Sequence, residues 1–209
     1  MSTRKHTGRK PARRPSKRGL TFQSLEDRRV LAAALGDDGI LTVEANDEPN
    51  EIAVWANKEE NLLVVSIDGN EVGFPDDQVR RIDVFGNGGG DSIGIRDSVT
   101  QHTLLDGGEG NDRIVGSQQG DVIRGGPGSD RLFGRGGNDR IDGGAGNDGI
   151  SGGDGSDAIQ GGIGSDHIRG GAGHDRIQGD PRPHDGADDP DVDLSLIHIS
   201  EPTRHRLSA

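Results

Sequence analysis

Eight aspartates recur at intervals of nine residues: Asp112, Asp121, Asp130, Asp139, Asp148, Asp157, Asp166 and Asp175. Two places after each stands an aliphatic residue, namely Ile114, Ile123, Leu132, Ile141, Ile150, Ile159, Ile168 and Ile177. Regularly spaced carboxylates suit a hard divalent cation. Calcium accepts six to eight oxygens in flexible geometry, whereas magnesium wants a stricter octahedron and keeps its waters. The chain has no cysteine, so thiol catalysis, disulfides and cysteine-built zinc sites are excluded.

The elements that must position these aspartates are legible in the glycines, 37 of 209 residues. Counted from Gly107, the chain reads GGEGNDRIV, GSQQGDVIR, GGPGSDRLF, GRGGNDRID, GGAGNDGIS, GGDGSDAIQ, GGIGSDHIR and GGAGHDRIQ, eight blocks without insertion. Each block is a glycine turn followed by a short strand with one aliphatic residue facing inward. One block buries too little to fold alone, so neighbours must stack into a solenoid. Two blocks close one 18-residue coil, which makes about four coils, ~19 Å long at the usual strand spacing. Asp112, Asp130, Asp148 and Asp166 then form one column, and Asp121, Asp139, Asp157 and Asp175 the other. Like charges one strand apart repel, and a cation between coils removes that repulsion.

The blocks follow the pattern G-G-x-G-x-D-x-U-x, and residues 107–180 resemble the RTX, or hemolysin-type, calcium-binding nonapeptide repeats. The resemblance implies an all-β fold, a right-handed parallel β-roll with Ca2+ between coils, each ion held by turn aspartates and glycine-position carbonyls. Carried onto this chain, those glycines are Gly107, Gly108 and Gly110; Gly125, Gly126 and Gly128; Gly134 and Gly137; and Gly143, Gly144 and Gly146. They continue as Gly152, Gly153 and Gly155; Gly161, Gly162 and Gly164; and Gly170, Gly171 and Gly173. Three neighbour pairs per column allow up to about six ions. Block 116–124 departs from the pattern, with Ser117 and Gln119 at glycine positions, which weakens the pair Asp121/Asp139. Arg135 replaces the second glycine of its own block.

Outside the repeats, residues 36–106 read as short strands at Ile40–Val43, Ile52–Trp55, Leu62–Ile67 and Ile82–Phe85, separated by polar turns. They form a β-rich cap or a degenerate stretch of solenoid. GNGGGDSIGI (86–95) is a decayed block with Asp91 and Ile93 in the sixth and eighth places, lying 21 residues before Gly107. Residues 1–30 carry ten Lys/Arg against Glu26 and Asp27 in a chain of net charge −12. Residues 1–35 therefore read as a basic, disordered export leader, and FQSLEDRRVLAA resembles the leader of exported planctomycete proteins. Residues 181–193 read as an acidic linker. Residues 194–209 contain LSLIHISEPTR, which agrees with an adapter-derived, non-native tail.

Nothing else in the chain points to catalysis. The matches to G-x-S-x-G at Gly149–Gly153 and to G-x-G-x-x-G at Gly144–Gly149 are by-products of the glycine period and lack a strand–turn–helix setting. No run approaches the ~20 apolar residues of a membrane helix, and the acidic body excludes a nucleic-acid partner. The expectation is a secreted, extracellular, non-enzymatic module that binds calcium and folds on binding. The alternatives are a truncated accessory part of a larger exported enzyme acting on polysaccharide or protein, or a surface adhesion or matrix protein. Extracellular polysaccharide or a cell surface is the expected partner.

Overall fold

The computed structural model describes residues 32–179. Two parallel sheets face each other, and the chain passes from one to the other at every turn. The first is built from β2 (Ile40–Glu44), β6 (Arg81–Phe85), β8 (His102–Asp106), β10 (Val122–Pro127), β12 (Arg140–Ala145), β14 (Ala158–Ile163) and β16 (Arg176–Gln178). The second holds β3 (Glu51–Asn57), β7 (Ser92–Ile95), β9 (Arg113–Val115), β11 (Arg131–Gly136), β13 (Gly149–Asp154) and β15 (His167–Ala172). Along the repeats each strand pairs with the one 18 residues on, as in Ile123↔Ile141 and Ile141↔Ile159. The chain is an all-β parallel solenoid. Among the described residues no helix is long and apolar enough to cross a membrane.

The repeat strands are longer than three residues. β10 through β15 each run six residues, reaching into the next block's glycines. Alternation along an extended strand therefore turns three positions of each block inward: the aspartate, the aliphatic residue and the first glycine. Asp148, Ile150 and Gly152 show this, all three buried. The aliphatic residues stack into one continuous core from Leu41 to Ile168. Gly152 and its equivalents must be small because Asp157 Oδ2 and the Gly170 carbonyl occupy the space a side chain would need.

The roll begins before Gly107. β2, β3, β6, β7 and β8 belong to the same two sheets, so 36–106 contributes coils as well as an end cover. These coils bury two aliphatic residues per strand, such as Leu41 with Val43 and Ile52 with Val54. The decayed block at 86–95 stacks in register: Ser92 pairs with Arg113 and Ile93 with Ile114. Its coil spans 21 residues because the connection after β7 is longer, and Val99 there is fully buried. The open end is closed by antiparallel strands, β4 (Leu62–Ile67) and β5 (Asn70–Pro75) beside β3, and β1 (Ala32–Leu35) beside β2. Asp68 and Gly69, both at positive φ, make the two-residue turn that suits the β4–β5 hairpin.

The disordered leader expected over residues 1–35 is corrected at its last four residues. Ala32–Leu35 form β1, with Ala33 and Leu35 packed against the core. Small apolar residues can cover an edge strand that would otherwise be left open. The rest of that leader, the acidic linker and the adapter-like tail lie outside the described residues.

Candidate metal centre

Each aspartate of the period sits at a corner of the roll, where its backbone leaves the glycine turn and enters a strand. Seven of the eight, Asp112 through Asp166, are at most 4% exposed. Their Oδ1 atoms are committed to the main chain one coil back. Asp112 N–H donates to Asp130 Oδ1 at 2.8 Å, Asp130 N–H to Asp148 Oδ1 at 2.9 Å, and Asp148 N–H to Asp166 Oδ1 at 3.0 Å. The second column runs likewise, Asp121 to Asp139 at 2.8 Å, Asp139 to Asp157 at 2.9 Å and Asp157 to Asp175 at 3.1 Å. The two columns expected from the spacing are thus physical ladders, with Asp175 at the half-buried far end.

The other carboxylate oxygen is left over. Oδ2 of Asp112, Asp130, Asp139, Asp148 and Asp157 is buried without a hydrogen-bond partner. An anionic oxygen buried in that way is costly unless a cation meets it. Burial holds these carboxyls well above the ordinary range, Asp130 and Asp148 up to about 6 and Asp139 to about 7, with neighbouring aspartates of the column adding to the rise. Burial also raises Asp112 and Asp157.

A main-chain carbonyl of the next coil lies beside each of these orphaned oxygens. A methyl at Gly143 would sit 2.5 Å from Asp148 Oδ2 and would overlap the Gly161 carbonyl one coil on. The same arrangement places Gly125 O beside Asp112, Gly143 O beside Asp130, Gly152 O beside Asp139 and Gly170 O beside Asp157. The second and fourth glycines stack their carbonyls between coils, and Gly144 and Gly146 reach this geometry at φ of 107° and 134°. Among the described residues no three His, Cys, Asp or Glu side chains converge on one point. A cation here would be met by one or two carboxylates together with main-chain oxygens. An all-oxygen, partly anionic donor set of this kind fits calcium.

Two turns depart from this pattern. Asp121 is satisfied by the protein: Ser117 N–H reaches its Oδ2 at 2.6 Å and Ser117 Oγ at 3.0 Å, while Thr103 N–H and Oγ1 reach its Oδ1 at 3.2 and 2.9 Å. The serine in place of glycine has filled the cradle, so Asp121 does not stand with the others as a site short of partners. In the block at 134–142, Arg135 adopts φ 83° and forms an ion pair with Asp97, which keeps the glycine-like turn in place.

One residue of the column was not among the sequence-derived ligands. Asp91, in the decayed block, is 1% exposed and accepts the Asn50 N–H at 2.8 Å through Oδ1. Its Oδ2 is orphaned, faces the Gly107 carbonyl across Gly86, and burial lifts the carboxyl to about 6. The signal was present in the sequence as Asp91 and Ile93 in the sixth and eighth places. The 21-residue spacing hid it, because the extra residues lie after β7 and leave the turn itself intact.

Comparison with known proteins addresses the same segment. A family model described as the RTX calcium-binding nonapeptide repeat (4 copies) matches residues 104–123, 115–150 and 151–181. No curated protein and no solved structure matches the chain. The nine-residue period, the ladders of buried aspartate and the family match agree: residues 104–181 are RTX-type calcium-binding repeats.

Proposed function

We propose that this chain is a secreted, non-enzymatic calcium-binding module whose ions sit between coils and whose roll folds as they bind. The observation that carries the reading is the row of buried Oδ2 atoms without partners, each beside a glycine carbonyl of the next coil. Bound calcium supplies positive charge and a flexible oxygen coordination shell at these corners. Asp112, Asp130, Asp139, Asp148 and Asp157 hold it together with the first-position glycine carbonyls, and Asp91 extends the set upstream. Asp166 and Asp175 continue the two columns toward the far end.

The chain's own residues explain why folding and binding are coupled. Between Gly107 and Arg169 each block buries one aliphatic side chain alongside one carboxylate. A core that thin offsets little of the cost of burying repeated charge, so binding free energy becomes folding free energy. Extracellular calcium is plentiful enough to fill weak sites, which supports action outside the cell. Far-UV circular dichroism of the full chain, with chelator and then with millimolar calcium, tests the reading. A β signal that rises on calcium addition, with several ions bound per chain, is expected. A signal that is unchanged across the titration refutes it.

A further inference from the structure

The outer face of the second sheet is basic in a chain whose net charge is −12. Strand register stacks Arg113, Arg131, Gly149 and His167 in one row, and Val115, Phe133, Ser151 and Arg169 in the next. From β9 onward neither row contains an acidic residue, although the first continues through Ser92 to Glu51 at the starting end. Arg113, Arg131, His167 and Arg169 are exposed, and among the described residues the three arginines form no ion pair. The Arg113 guanidinium lies 4.8 Å from the centre of the Phe133 ring, which fixes its plane. At Gly149 the rows are interrupted. Two hollows meet there: one of about 260 Å³ bordered by Arg131, Phe133, Ser151, His167 and Arg169, and one of about 520 Å³ that runs from Arg113, Arg131 and His167 to the corner column, where Asp112, Asp130 and Asp148 line it.

We propose that this face binds an acidic polysaccharide, its uronate carboxylates held by Arg113, Arg131 and Arg169 and one sugar ring seated in the gap at Gly149. A guanidinium presents two parallel N–H donors that match a carboxylate. Parallel strands repeat these donors at about 4.8 Å per coil, so successive charges of a linear polymer can be met along the roll. Single-stranded nucleic acid is served less well, because base binding needs open aromatic platforms and Phe133 is half-buried beneath Arg113. The opposite sheet lacks this arrangement. Its row Val122, Arg140, Ala158 and Arg176 lies beside the row Arg124, Asp142, Gln160 and Gln178, which brings in Asp142, and Arg124 is paired with Asp106. The inference rests on the calcium reading in one respect, since calcium in the corner columns weakens the negative field beside the face.

The test uses the full chain in saturating calcium with hyaluronan decasaccharides, followed by titration calorimetry. Wild-type protein is expected to bind hyaluronan, more weakly as salt is raised, and to ignore a neutral maltodextrin. Arg113→Glu with Arg131→Glu should weaken binding at least tenfold, while Arg140→Glu with Arg176→Glu on the other face should change it less than twofold. Gly149→Val fills the gap without altering charge and should weaken binding about fivefold, with the calcium-dependent dichroism unchanged. Equal losses from both arginine pairs, unaltered binding by Gly149→Val, or equally tight binding of polyglutamate or a 20-nucleotide single strand would overturn the assignment. A chain that takes up calcium but ignores hyaluronan overturns this inference alone. One that binds hyaluronan yet takes up no calcium overturns the calcium reading alone.

Discussion

Replacing Asp148 by asparagine should move stability in opposite directions with and without calcium. The side chain is 2% exposed, and its Oδ1 accepts the Asp130 N–H at 2.9 Å, a bond that an amide oxygen can keep. Without metal, burial holds the Asp148 carboxyl at about 6 instead of its ordinary value near 3.8. Each tenfold change in proton affinity is worth 1.36 kcal/mol, so at neutral pH the charge costs the calcium-free roll about 3 kcal/mol. Asparagine removes that cost, and its amide can donate to the neighbouring Gly161 carbonyl. In chelator, Asp148→Asn should therefore be more stable than wild type, by about 1–3 kcal/mol once imperfect amide geometry is allowed for. In calcium the order reverses. A site filled at a hundred times its dissociation constant contributes about 2.7 kcal/mol, and the variant loses that ligand. Urea unfolding of both proteins, followed by far-UV circular dichroism with chelator and with millimolar calcium, reads both halves. Trimethylamine N-oxide can be added if the chelated chain needs help to fold. Loss of stability in both conditions would refute the claim that this carboxylate is a burden relieved by metal.

The raised carboxyls fix the sign of a pH effect. Because Asp130, Asp139 and Asp148 bind protons more tightly folded than unfolded, the calcium-free roll should gain stability as pH falls from 7.5 to 5. Protons should also compete with calcium, so the calcium midpoint should rise over the same range. Gly143→Ala, whose methyl would overlap the Gly161 carbonyl, should cost about 2 kcal/mol or more in calcium. Gly94→Ala, with nothing within 4 Å, should cost little, and similar melting shifts for the two would count against the cradle. Ser117→Gly should remove the Oγ bond to Asp121 Oδ2 while the main-chain N–H stays, lowering stability in chelator by about 1–3 kcal/mol while reopening the cradle and raising the bound calcium count by one. Hydrogen exchange in chelator should leave amides of 40–106 slower than those of 107–178, and uniform exchange would contradict a calcium-independent starting end.

The period of nine made most of the roll legible, because one coil equals two blocks and every block repeats the same inward triad. What the period could not show was which atoms of the aspartate are used. Spacing places Asp130 and Asp148 in a column, yet only coordinates reveal that Oδ1 accepts a main-chain N–H while Oδ2 is left over. The upstream coils were harder to read for a different reason. Their strands bury aliphatic pairs, as in Ile82 with Val84, so nothing in the sequence marks Arg81–Phe85 as a solenoid strand. The β4–β5 hairpin breaks the spacing between Ile52 and Ile93, although register aligns those two residues in neighbouring coils. Ala32–Leu35 read as part of a leader because they follow the basic run and the leader-like FQSLEDRRVLAA, while small apolar residues serve equally well on a sheet edge.

The two ends of the roll handle charge differently, and this gives folding a direction. At the starting end, the corner place of each column is neutral. Asn50 stands level with Asp91 and donates its N–H to that carboxylate, while Thr103 does the same for Asp121. Each column is thereby capped by a donor that adds no negative charge, next to the coils that bury the most aliphatic surface. Every later corner adds a buried carboxylate for only one new aliphatic residue, so coils beyond Asp121 depend increasingly on metal. The far end closes on Asp175, which is half-buried and whose Oδ1 accepts the Asp157 N–H. On the calcium reading proposed above, this gradient predicts a seed that folds on apolar packing and then adds coils one cation at a time, since each new strand needs the preceding one as a template.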